Sequence, residues 1–249
     1  MKKYENLAYL RSQLRFKFTT TDCFTVVRLV PESKADDIVW DVALAYRWLC
    51  QRRDPSRIIF LGISSGGALC TMIMQNLAKL ARRVGSGKDD YDEESLLPPF
   101  VQPALENLQM PAGCVLFGPF VDFTEPSGSL WHYQKHDLIV NQRVIEVGIP
   151  YLDTHLPRGQ RREYSPIHQS FHGLPPMCVT VSEHETTFDM TLQLVNRARR
   201  DGVSVTLGVW QYMCHVFSFL NAFVPEGQQS MDFCIEWIRQ LAQENQEAK

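Results

Sequence analysis

Most classes of function are excluded by what this 249-residue chain lacks. It has no apolar run long enough to span a bilayer, and its opening Met-Lys-Lys-Tyr-Glu-Asn leads into no hydrophobic signal segment, so a cytoplasmic location is expected. It has no excess of basic charge. A formal net charge of -3 and a pI near 6.2 lack the electrostatic footprint of a nucleic-acid partner. Neither C-x-x-C nor H-E-x-x-H occurs, no two histidines stand at metal-ligand spacing on a regular element, and no zinc site is expected. The clustered acids between Gly85 and Ser95 lack the spacing of a calcium loop and read as a solvated loop. Neither phosphate-cradling glycine pattern, G-x-x-x-x-G-K-[ST] or G-x-G-x-x-G, is present, so no nucleotide or other cofactor is expected. The seven cysteines are odd in number and widely spaced, with Cys70, Cys114, Cys178 and Cys234 in apolar segments. They read as reduced buried thiols.

What is there describes one α/β domain over residues 1–249, with 45% hydrophobic content and enough length for one sizeable core. Apolar periodicity predicts helices over Tyr4–Phe18, Ala35–Arg52, Ala68–Ala81, Thr187–Arg200 and Ser230–Glu244. Short β-branched runs predict strands at Cys23–Val30, Arg57–Leu61, Cys114–Phe117, Met177–Val181 and Val203–Trp210. The Arg57–Leu61 run is rich in Ile and alternates little, as a strand buried on both faces should. Strands alternating with helices imply a mostly parallel sheet flanked by helices. Residues 122–172 interrupt the alternation. They are irregular, rich in Pro, Gly, His and aromatics, with one helical piece near Val140–Val147, and read as a lid or pocket-wall insertion. His132, His136, His155, His168 and His172 fall there and read as surface or pocket-lining residues.

The chain is organised around residues 58–69, an apolar run, the G-x-S-x-G pattern of Gly62, Ser64 and Gly66, and a helical run. A strand that turns into a helix within a few residues strains the turn residue and needs small neighbours, a role assigned here to Gly62 and Gly66. Ser64 would be lifted out of the sheet as a nucleophile. The amide of Ser65, at the helix N-terminus, would face a developing oxyanion. The competing reading is a glycine-rich turn without chemistry.

A serine nucleophile needs a base, and the base needs an acid. Active sites of parallel sheets collect at the C-terminal ends of strands, where Ser64, Asp122, the Glu183-His184-Glu185 cluster and His215 fall. His215 is the candidate base, with a satisfied core histidine as the alternative. Three acids follow the Met177–Val181 strand. Asp189 fits a capping box with Thr186, Glu183 reads as a surface residue, and Glu185 has no competing explanation.

Several blocks resemble the hormone-sensitive-lipase-like family of α/β-hydrolase esterases: Val-Arg-Leu-Val-Pro-Glu at 27–32, Asp41 with Trp48-Leu49, Asp54-Pro-Ser-Arg57, Gly-Ile-Ser-Ser-Gly-Gly at 62–67, Ser165-Pro166 with Leu174-Pro-Pro176, and Met213-Cys-His-Val-Phe217. The resemblance implies an α/β-hydrolase fold and hydrolysis of small-molecule carboxylic esters with small or medium acyl groups. It supports a triad of Ser64, Glu185 and His215. The family's His-Gly-Gly-Gly oxyanion motif is absent from the sequence, and with it the expected N-terminal strands and cap. Loss of one oxyanion donor costs about 2.7 to 4 kcal/mol of transition-state stabilisation. Two functions are therefore carried forward, a serine esterase weakened by that loss and a non-catalytic binding or interaction relative.

Overall fold

The computed structural model describes residues 35–86, 101–124 and 128–247. The helix expected at Tyr4–Phe18, the strand at Cys23–Val30 and nearly all of the Gly85–Ser95 loop lie outside the described residues. Four strands, β1 (Ile59–Ile63), β2 (Gly113–Phe117), β3 (Met177–Ser182) and β4 (Val205–Trp210), form a wholly parallel sheet in the order β1-β2-β3-β4. Ile63 pairs with Phe117, Phe117 with Thr180, and Ser182 with Trp210. The strands therefore end together, and the loops that leave them gather on one edge.

Helices α1 (Ala35–Cys50) and α2 (Ser65–Ser86) flank β1 in the chain, and α3 (Gln102–Leu105) precedes β2. Between β2 and β3 lie α4 (Gly128–Tyr133) and α5 (Gln142–His155). After β3 comes α6 (Phe188–Arg200), and α7 (Pro225–Glu247) ends the fold. Period-2 alternation assigns the two faces of the sheet. Cys114 and Leu116 of β2, with Met177 and Val179 of β3, pack into a core shared with Tyr46 of α1, Ile73 of α2 and Leu194 of α6. Val115, Phe117 and Cys178 point the other way and meet Cys234 of α7.

The expected elements within the described residues are all present, with displaced ends. α1 stops at Cys50. β1 begins at Ile59 because Asp54 accepts the amide of Ser56 (2.9 Å) and holds Pro55–Arg57 in a 3-10 turn. β1 is not buried on both faces. It pairs only with β2 among the described residues, and Leu61 and Ile63 are 43% and 39% exposed. Residues 122–172 hold more helix than expected. α5 begins where Asn141 accepts the amides of Arg143 (3.1 Å) and Val144 (3.2 Å), and continues through Pro150 to His155.

Candidate active site

Ser64 stands between β1 and α2 in the left-handed region, at φ +51°. That conformation costs a non-glycine residue about 1–3 kcal/mol and persists only where the surroundings enforce it. They do so from both sides. The Ser64 amide donates to the carbonyl of Phe117 (3.0 Å), and its own carbonyl accepts the amides of Gly67 (2.9 Å) and Phe120 (2.9 Å). A Cβ on Gly62 would stand 2.7 Å from the Cα of Gly67, and one on Gly67 would stand 2.7 Å from the Cβ of Pro119. Gly66 faces open space. The room for the turn is thus supplied by Gly62 and Gly67, which corrects the expectation for Gly66. Ser65 is exposed and opens α2, so its amide belongs to the first turn, where helix N–H groups have no intrahelical acceptor.

The other candidates lie in the loops after β3 and β4. Glu185 and His215 are 0% and 2% exposed, and Nδ1 of His215 lies 3.3 Å from Oε1 of Glu185. The carboxylate also accepts the amide of Ser182 on Oε2 (3.2 Å) and the hydroxyl of Thr187 on Oε1. The capping box expected from Thr186 to Asp189 does not form. Thr187 occupies the N-cap position without capping, its hydroxyl drawn to Glu185, and Asp189 accepts the amide of Ser129 (2.7 Å). Glu183 is half-buried beside His184 (3.4 Å). Asp122, in the loop after β2, lies 3.3 Å from Nε2 of His168.

Burying a carboxylate and an imidazole together is costly unless their polar atoms are paired. Nδ1 is paired, whereas the buried Nε2 of His215 has no hydrogen-bond partner among the described residues. Ser64 therefore does not hydrogen-bond to it. The loop that carries His215 is strained on either side, with Tyr212 at φ +57° and the β-branched Val216 at φ +51°. The neighbouring thiol of Cys214 is pushed up by burial and by the negative charges of Asp137 and, less, Glu185. It is thereby held in its unreactive protonated form.

Three residues that shape the site carry no local signal of that role. Gly118, at φ +47°, lies against Glu185 and His215, and its amide donates to the carbonyl of Thr180 (2.9 Å). Thr187 binds Glu185. Asp137, between α4 and α5, accepts the amide of His215 (3.0 Å). No cluster of three or more His, Cys, Asp or Glu able to hold a metal occurs among the described residues.

A family model described as the alpha/beta hydrolase fold matches residues 21–219. The chain belongs to the α/β-hydrolase fold family. Among curated relatives of this α/β-hydrolase, an esterase of Acinetobacter venetianus is 29% identical over 212 residues, covering 85% of this chain and 60% of the relative. An acetyl-hydrolase of Streptomyces hygroscopicus is 24% identical over 217 residues, covering 85% and 62%. An esterase structure from the bacterial hormone-sensitive lipase family superposes with a TM-score of 0.65 at 31% identity, covering 87% of this chain and 64% of that one. A hormone-sensitive lipase from a metagenome library gives 0.65 at 28% identity. The α/β-hydrolase chain thus resembles the hormone-sensitive-lipase group, as its motifs imply, and spans less than two thirds of the length of these relatives. No helix among its described residues is long and apolar enough to cross a membrane.

Proposed function

We propose that this α/β-hydrolase is a serine hydrolase of small-molecule carboxylic esters with small or medium acyl groups. The observation that supports the reading is the buried Glu185–His215 pair, whose Nε2 is left without a partner among the described residues, together with the strained Ser64 turn at the same C-terminal edge of the sheet. Ser64 Oγ attacks the ester carbonyl carbon while its proton passes to Nε2 of His215. The carbonyl electron pair moves onto oxygen, where the amide of Ser65 donates to it. Glu185 holds Nδ1 and offsets the positive charge on the imidazolium. Collapse of the intermediate expels the alcohol, protonated by Nε2, and leaves the acyl group on Ser64. Water then attacks the acyl carbon, giving a proton to His215, which returns it to Ser64 Oγ as the acyl–Oγ bond breaks and the carboxylic acid departs.

Covalent labelling of Ser64 by a fluorophosphonate probe tests this reading. A folded sample that labels at Ser64, and loses labelling in Ser64→Ala and His215→Ala, supports it. A folded sample that does not label contradicts it. A second reading, a binding relative without catalysis, is favoured by the absence of a His-Gly-Gly-Gly run from the 249 residues. It requires a ligand or protein partner whose binding survives Ser64→Ala, and turnover that depends on the Ser64 hydroxyl excludes it.

A further inference from the structure

We propose that Asp137 is a positioning residue that sets the spacing between the acid-bearing and base-bearing loops; this rests on the reading of Glu185 and His215 as acid and base. Asp137 is 3% exposed, and among the described residues it forms no ion pair. Its carboxylate is satisfied instead by four backbone amides. Oδ1 accepts those of Ile139 (2.9 Å) and Val140 (3.0 Å), a local turn that fixes the side chain on its own loop. Oδ2 reaches far along the chain, to the amides of His215 (3.0 Å) and Thr186 (3.4 Å).

Those two donors belong to the base itself and to the neighbour of the acid. One oxygen therefore ties the loop after β4 to the loop after β3 at the point where Nδ1 of His215 meets Oε1 of Glu185. The strained backbone at Tyr212 and Val216 needs such a restraint, since positive φ at non-glycine residues relaxes unless held. The negative charge of Asp137, second to burial, pushes up the thiol of Cys214 next to His215.

Asp137→Asn separates this role from simple packing, because the variant keeps the shape and loses one of the two acceptor oxygens. With Ser64-dependent turnover of a p-nitrophenyl ester as the readout, kcat is expected to fall about 10²-fold, the penalty of a catalytic group misplaced by an ångström, with KM nearly unchanged. Proton NMR supplies a readout that needs no turnover. The low-field resonance of the His215 Nδ1–H bonded to Glu185 is expected in the wild-type chain and should be lost or shifted in Asp137→Asn. Hydrogen exchange on the wild-type chain covers the case of a variant that does not fold. Strong protection of the His215 and Thr186 amides is expected, and exchange at open-loop rates overturns the proposal. A folded Asp137→Asn with wild-type kcat and an unmoved resonance also overturns it, while leaving the esterase reading intact. A wild-type chain without turnover sinks the esterase reading, and the resonance and the exchange rates then decide the role of Asp137.

Discussion

Gly118 is packed so tightly against Glu185 that a Cβ at its position would fall inside contact distance of Oε1 and 3.0 Å from Nδ1 of His215. The residue after β2 thus forms one wall of the Glu185–His215 pair, and its amide hydrogen bond to Thr180 leaves it little freedom to withdraw. Gly118→Ala should push the two side chains apart. A fall in kcat of about 10²-fold is expected from displacement on that scale. The positive φ adds a stability loss of about 1–3 kcal/mol. Steady-state kinetics and thermal unfolding of the one variant measure both.

Thr187 separates a catalytic from a structural use of the same hydroxyl. A helix cap lost to substitution typically costs about 1 kcal/mol of stability. Because the hydroxyl donates to Glu185 and does not cap α6, Thr187→Val should act on turnover. A hydrogen bond to a charged group contributes about 1.5–3 kcal/mol, so a loss of kcat of about 10- to 150-fold is expected. A melting temperature that falls while kcat holds would reverse this assignment.

Cys214 adjoins His215 in sequence and is a tempting alternative nucleophile. Burial, Asp137 and Glu185 keep its thiol protonated. Iodoacetamide at neutral pH should leave turnover intact, and Cys214→Ser should retain it. Inactivation by iodoacetamide that Cys214→Ser abolishes would show the thiol to be engaged.

Asp41 gives a pH dependence of stability. Burial, helped by the nearby charge of Asp37, pushes its carboxyl up from the ordinary 3.8 to about 6. The folded value is raised, so the fold favours the protonated acid. The contribution is present in full below the unfolded value and is lost as the pH rises through about 6. Asp41→Asn, which mimics the protonated form, should raise the melting temperature at pH 7.5. The gain should shrink below pH 6 and vanish below about 3.8. An equal gain at every pH would show that the charge of Asp41 is not its source.

Much of this fold is legible in the sequence because its signals are local. The turn at 62–67 is written in glycines next to an Ile-rich run, and the strand–helix alternation after Met177 is carried by apolar periodicity. Glu185 and His215 stand out because each follows a strand, and the parallel register brings those strand ends together. The remainder depends on contacts between distant segments. Nothing near Asp137 announces that its carboxylate meets an amide 78 residues away. The Thr186–Asp189 pattern reads as a capping box until a buried carboxylate competes for the hydroxyl of Thr187. Gly66 satisfies the motif as a letter, whereas the close approach to Pro119 makes Gly67 the glycine that space requires. The exposure of Leu61 and Ile63 is not encoded in the composition of β1, whose Ile-rich run reads as buried on both faces.

The central claim is that Ser64 and the Glu185–His215 pair act together on esters. The most direct measurement is hydrolysis of a short p-nitrophenyl ester by the purified 249-residue chain beside Ser64→Ala, with circular dichroism verifying that both are folded. The account expects turnover above the uncatalysed rate that Ser64→Ala abolishes. A folded chain without turnover, or turnover that persists in Ser64→Ala, would contradict it.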